Sequence, residues 1–334
     1  MYSPTYKRTN LAIHFVNLPN KKKKMTTLKI FEFNSFGEHC YVVWDSNSYE
    51  SGDKAGEGCA NSGKGSETDK TGEYGTNGST CKTGEGYANG AADKVCIIID
   101  PGCYGPHEKE MLFSFLKENS LTPAAVLLTH AHPDHCFGVA AVCREYGIPV
   151  YMNENEKVTL SVMHKLCLGM GADDVEDFSK YTRLVNDGDE MVIGPFHVKA
   201  LFTPGHSAGG MCYLVSEAGV SDSNDNCSHS KGNNGNDGCL NKGCNVNGKA
   251  ILFSGDTLFA GCIGRSDLPG GDYDKLMESI FTKLIPLDGD TDVLPGHGHC
   301  STIADERMKN PFLLPFNEPE PEEPEPTSDG GTGR

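Results

Sequence analysis

Thr129-His130-Ala131-His132-Pro133-Asp134-His135 stands directly after an apolar run at residues 124–128. The run has the length of a buried strand, and a proline with a polar cluster ends it abruptly. Four potential metal ligands, His130, His132, Asp134 and His135, fall within six residues, and packing does not explain them. Imidazole and carboxylate are ligand types that suit zinc, iron and manganese. On extended or turn backbone a His-x-His pair can turn both rings to one side. Asp134 and His135 then reach a neighbouring position. The stretch reads as the halves of two adjacent metal sites rather than as a solvated histidine-rich loop.

Working outward, the same arrangement of strand followed by ligand recurs. Residues 196–202 lead into Thr203-Pro204-Gly205-His206, residues 250–253 into Ser254-Gly255-Asp256, and residues 292–294 into Pro295-Gly296-His297-Gly298-His299. Asp100 follows another apolar run at 95–99. All these polar residues lie just past the C-terminal ends of apolar strands, where open α/β sheets place their ligands. Further strands are expected at 28–33, which alternates apolar and polar, and at 40–44. Helices are expected at 106–120, with Met111, Leu112, Phe115 and Leu116 on one face, at 136–146, ended by Gly147, and at 275–285. Thr302 with Asp305 three residues on resembles a helix N-cap. Residues 154–185 read as mixed helix and loop. Two similar halves of this kind predict two sheets packed face to face and covered by helices.

Length alone, 334 residues, would suggest two domains. Much of the chain, however, is too polar to build a core. Residues 46–93 and 219–247 are rich in Gly, Ser, Asn and Lys, and residues 317–334 are Pro/Glu-rich and then Gly-rich. Such segments bury too little to offset their ordering entropy. The first insert, at a hairpin connection, contains an imperfect repeat beginning at Lys70 and again at Lys82. The organisation expected is one domain over residues 25–316 carrying two inserts, an N-terminal extension at 1–24 and an acidic tail. Met25 is the expected true start.

The net charge of -17 argues against nucleic acid or an anionic membrane as partner. Residues 1–24 have a short apolar stretch followed, not preceded, by lysines, the wrong order for secretion and too short to span a bilayer. A cytoplasmic location follows. Of the 14 cysteines, Cys96, Cys136, Cys143 and Cys212 read as small buried hydrophobes. Those in the inserts show no paired Cys-x-x-Cys spacing. His39, His164, His197 and His229 read as surface or packing residues.

With these motifs in place, the chain resembles the metallo-β-lactamase-fold hydrolases. Thr129 to His135, Pro204-Gly205-His206, Gly255-Asp256 and Gly296-His297-Gly298 carry the likeness. Residues 258–271 and 306–312 are similar to the glyoxalase II-like branch and to the related persulfide dioxygenases. The resemblance implies an α/β fold, a four-layered αββα sandwich. It also implies His130, His132 and His206 on one metal, Asp134, His135 and His297 on a second, and Asp256 bridging. The cofactors implied are two divalent ions, zinc foremost, with iron or manganese as alternatives. Such ions lower the pKa of a bridging water, and the hydroxide so formed would attack an acyl-thioester such as S-lactoylglutathione. Asp134 would orient it. Asp100 is expected behind a ligand imidazole, or as a strand-end turn carboxylate. Arg265 is expected on a substrate carboxylate or paired with Asp267. Metallo-β-lactamases proper commonly carry Arg or Cys at positions 135 and 256, so an antibiotic-hydrolysing role is not expected. Only about one helix follows His297, whereas glyoxalase II has a helical C-terminal domain, so a smaller acyl-thioester is also compatible. The competing reading is a persulfide dioxygenase with one iron on His130, His206 and Asp256.

Overall fold

In the computed structural model, residues 26–45, 94–217 and 250–314 are described. The expected extension, both inserts with their cysteines, repeat and His229, and the tail lie outside them. Strand β1 (Thr26–Phe33) pairs antiparallel with β2 (Glu38–Asp45), which pairs antiparallel with β3 (Lys94–Ile99). Helix α1 (Gly105–Glu118) carries the chain over to β4 (Leu121–Leu127), parallel to β3. The short α2 (Pro133–Cys136) and α3 (Val139–Tyr146) precede β5 (Val150–Met152). A 3-10 turn (Glu154–Glu156) and α4 (Lys157–Met170) precede β6 (Thr182–Leu184), closing a six-stranded sheet.

The second sheet begins with β7 (Glu190–Ile193), β8 (Phe196–Phe202), β9 (Met211–Glu217) and β10 (Ile251–Gly255). A small hairpin of β11 (Leu258–Phe259) and β12 (Cys262–Ile263) follows, then α5 (Tyr273–Ser279) running into a π-helical turn (Ile280–Leu284). Strands β13 (Asp292–Pro295) and β14 (Ser301–Thr302) complete the sheet in the order β14-β13-β10-β9-β8-β7, and α6 (Ile303–Lys309) comes last.

Side-chain alternation along the strands builds the layers. Tyr41, Val43, Ile97 and Ile99 meet Tyr213, Val215 and Phe253 between the two sheets. Their neighbours Val42, Cys96 and Ile98 face the other way, onto Leu112 and Leu116 of α1 and Val142 of α3. In the second sheet Cys212, Leu252 and Val293 turn outward onto Leu276, Ile280 and Ile303. The central strands β2, β3 and β10 are therefore buried on both faces along most of their length and read as largely apolar runs, whereas the edge strands β6 and β7 are partly exposed. The result is the expected αββα sandwich.

Three local expectations need correction. Met111 is 44% exposed while Leu112 and Leu116 are fully buried. The buried stripe of α1 follows the i, i+4 pair and leaves the preceding position at its edge. The helix expected at 136–146 is broken near Gly138. The Gly138 N–H bonds the Pro101 carbonyl at 2.8 Å, and the Asp134 carbonyl accepts from Asn34 at 3.0 Å, so the bond that would join α2 to α3 is engaged elsewhere. A side chain at Gly138 would lie 2.2 Å from Cys103 Sγ, so only glycine allows this approach. The last helix of the 275–285 region starts earlier, at Tyr273, where the Asp272 side chain accepts from the Lys275 N–H. Thr302 caps α6 as expected, accepting from the Asp305 N–H at 3.2 Å.

The nine described cysteines are free thiols, and Cys96, Cys136, Cys143 and Cys212 are buried. Among the described residues no helix is long and apolar enough to cross a membrane.

Candidate metal centre

Strand ends β3, β4, β8, β10 and β13 converge at one edge of the sandwich, and each delivers one group of polar residues. From the end of β4 come His130 and His132, with Asp134 and His135 on α2; from β8, His206; from β10, Asp256; from β13, His297. His130, His132 and His206 place one nitrogen each within a common 4.8 Å, and so do Asp134, His135 and His297 with their ligand atoms. His206 Nε2 lies 3.2 Å from His130 Nε2 and 2.9 Å from His132 Nδ1. A tetrahedral ion with bonds of about 2.0–2.1 Å sets its ligands roughly 3.3 Å apart, so the spacing fits. Asp256 lies between the trios. Its Oδ1 is 3.5 Å from His135 Nε2, and its Oδ2 is 3.6 Å from both His206 Nε2 and His297 Nε2. Asp134 Oδ2 is 3.4 Å from His297 Nε2 and 3.7 Å from His135 Nε2.

The orientation of the rings follows from what holds their other nitrogens. His135 Nδ1 lies 3.0 Å from Asp100 Oδ2, and His206 Nδ1 lies 2.8 Å from the Arg265 carbonyl. His297 Nδ1 lies 3.2 Å from the Phe36 carbonyl. The Thr129 hydroxyl donates to Asp100 Oδ2 at 2.5 Å and so can only accept from His130 Nδ1, 3.1 Å away. Each of these four oxygens acts as an acceptor, so each ring carries a proton on Nδ1. When the rings are neutral, the Nε2 lone pairs point to one place. His135 Nε2 and Asp256 Oδ1 are buried and make no hydrogen bond among the described residues. Unpartnered buried donors of this chemistry fit a divalent cation.

Electrostatics divide the trios. Burial, then the surrounding imidazoles, pushes His130 well below its ordinary range; burial, then His206, brings His132 down to about 3. Burial acts the same way on His135, but Asp256, Asp134 and Asp100 outweigh it and raise that imidazole to about 10. His297 is raised too, against burial, by its bond to Asp134 and by Asp256. Burial would raise Asp134, yet His135 and His297 hold it below the usual carboxylate range.

Asp100 sits behind His135 as one of its two expected readings had it, and its φ of 46° is a left-handed conformation uncommon for aspartate. Arg265 takes the other of its two expected readings. Its guanidinium forms two bonds to Asp267, at 2.7 and 2.8 Å, on the exposed surface, and only its carbonyl reaches the centre. His39 is buried against the Tyr41 hydroxyl, 3.3 Å away. His164 and His197 pair with Asp174 and Glu190 at the surface, and His299 is exposed.

Sequence reasoning missed several residues. Glu38 is fully buried beside His135, and burial, then Asp100 and Asp134, raises its carboxyl well above the usual range. Glu156 is fully buried between two ligand loops. Glu306 accepts from the Gly261 N–H at 2.9 Å and from Asn310 Nδ2 at 2.7 Å, and Asn310 also donates to the Cys262 carbonyl. That clamp fixes the β11–β12 hairpin, whose Phe259 ring lies 6.5 Å from that of His297. In sequence these glutamates look like ordinary solvated charges; the similarity of residues 306–312 to one branch was the available signal for the last.

The metallo-beta-lactamase superfamily model matches residues 91–220. A probable metallo-hydrolase, YqgX of Bacillus subtilis, is 37% identical over 227 residues, 68% of this chain and 90% of that protein. The hydroxyacylglutathione hydrolase GloC of Haemophilus influenzae is 30% identical over 222 residues, 66% of this chain and 88% of that protein. Among solved structures, the BLEG-1 B3 metallo-beta-lactamase is 27% identical with a TM-score of 0.57, covering 86% of this chain and 99% of that one.

Proposed function

This chain belongs to the metallo-beta-lactamase superfamily, and we propose that it is a two-metal hydrolase of a small acyl-thioester, S-lactoylglutathione or a close analogue. The observation that carries the metal part is the inward convergence of seven His and Asp side chains, with the tautomers of His130, His135, His206 and His297 set from behind. His130, His132 and His206 would hold one ion, and Asp134, His135 and His297 the other, with Asp256 shared. Zinc suits this set first, with iron or manganese next. When bound, two divalent ions make water acidic enough to yield hydroxide near neutral pH and polarise a carbonyl oxygen.

The chain supplies the rest. Carbonyls of Arg265 and Phe36, with the Asp100 carboxylate, keep the imidazoles aimed, so no reorganisation is needed when charge develops. Asp134, kept ionised by His135 and His297, orients the attacking water. The half-buried Phe259 beside His297 offers an apolar wall for an acyl group. Likeness to a hydroxyacylglutathione hydrolase supports the thioester.

The test is metal content and S-lactoylglutathione hydrolysis on the same sample. Near two ions per chain, with turnover lost in His135→Ala, is the expected result. One iron per chain, with oxygen consumed on glutathione persulfide and no thioester cleavage, would overturn it for a dioxygenase on His130, His206 and Asp256. Cleavage of a β-lactam but no thioester would keep the hydrolysis and replace the substrate.

A further inference from the structure

We propose that Glu156 is a positioning residue that ties together the two loops carrying His130, His132 and His206 and so sets the metal affinity of that trio, leaving the other trio unaffected. Glu156 ends the 3-10 turn after β5 and is fully buried. Its Oε2 accepts from the Ala131 N–H at 2.8 Å, the residue between His130 and His132. Its Oε1 accepts from the Ser207 hydroxyl at 2.6 Å and from the Gly209 N–H at 2.8 Å. Ser207 follows His206 directly. One carboxylate thus bridges the loop after β4, in the first sheet, and the loop after β8, in the second.

The turn itself is held firmly. The Asn153 side chain accepts from the Asn155 N–H at 3.0 Å and donates to the Val185 carbonyl at 2.9 Å. The second loop presses straight onto it, since a Cβ at Gly209 would lie 2.4 Å from the Glu156 nitrogen. All three partners of Glu156 are donors, so the group is fitted to a carboxylate and to nothing that donates. An amide in its place would point its own N–H at one loop and lose that loop. Asp134 and His135 on α2, and His297 after β13, make no hydrogen bond to Glu156. The asymmetry between trios is what separates this role from simple support of the fold.

This inference rests on the two-metal reading above. Its test measures zinc affinity by chelator competition in two backgrounds, His297→Ala, which leaves the His130/His132/His206 trio intact, and His206→Ala, which leaves the other. Glu156→Gln is expected to weaken zinc about 10–100-fold in the first background, as loss of an outer hydrogen-bond partner does, and to leave the second within about twofold. Ser207→Ala, which removes one donor and keeps the carboxylate, is the milder variant should Glu156→Gln fail to fold. It is expected to weaken only the first background, by about two- to tenfold. Equal weakening in both backgrounds, or none in the first, overturns the proposal and leaves the metal reading standing. No zinc uptake in either background with Glu156 intact removes the metal centre and this inference together.

Discussion

Asp100 Oδ2 lies 3.0 Å from His135 Nδ1 and receives the Thr129 hydroxyl, which in turn accepts from His130. One carboxylate therefore aims an imidazole of each trio, His135 directly and His130 through one intervening hydroxyl. Asp100→Asn keeps the side chain's size and tolerates the left-handed backbone but replaces one acceptor by a donor. We expect zinc affinity to fall about 10–100-fold at both sites, measured by chelator competition. Loss at the His135 site alone would show that the Thr129 relay does not operate.

Gly296 lies where any side chain would enter the centre. A Cβ there would lie 2.2 Å from Asp256 Oδ1 and 2.6 Å from His135 Cε1. Gly296→Ala should displace Asp256 and lower kcat/KM about 100-fold, the scale of a 1 Å misplacement. Thermal melting run beside the kinetics separates this from unfolding; a fully active variant would contradict the geometry.

The metal-free protein should be most stable near neutral pH. As pH falls from about 6.5 towards 3, the unfolded chain binds protons on His130 and His132 that the folded chain, with those groups lowered, refuses; stability drops. As pH rises from about 6.5 towards 10, the folded chain keeps a proton on His135 that the unfolded chain has shed; stability drops again. Urea unfolding at pH 4.5, 7 and 9.5 on chelator-treated protein checks both limbs. Steadily rising stability up to pH 9.5 would contradict the assigned pairing of His135.

Two adjacent residues of α1 should behave oppositely. Leu112 is fully buried and Met111 is 44% exposed. Leu112→Ala should cost about 2–5 kcal/mol, and Met111→Ala should stay within about 0.5 kcal/mol. Equilibrium denaturation measures both; a large Met111 effect would place that side chain against a surface not seen here.

Much of the fold could be read in the chain because its strands are short and carry either apolar runs or a strict apolar alternation. Residues 196–202 and 292–294 announced β8 and β13 almost to the residue, since nothing else accommodates such runs between polar turns. Where tertiary hydrogen bonds replaced local ones, the reading failed. The break at Gly138 depends on Pro101 and Asn34, respectively 37 and 104 residues away, and no window around 138 contains either.

The donor chemistry is written into the chain: four donors within residues 130–135 and single donors at 206, 256 and 297, each just after a strand, leave little but metal binding. Donor type and strand-end position are local properties, so they can be read from the chain alone. Which donors meet, and which way each ring faces, is settled by folding. His206 reaches His130 across 76 residues, and the Arg265 carbonyl holds His206 across 59. Backbone carbonyls carry no residue identity, and a glutamate such as Glu156 differs from a solvated one only in what folds over it. Those roles arise when two sheets bring their strand ends to the same edge, which no local pattern records.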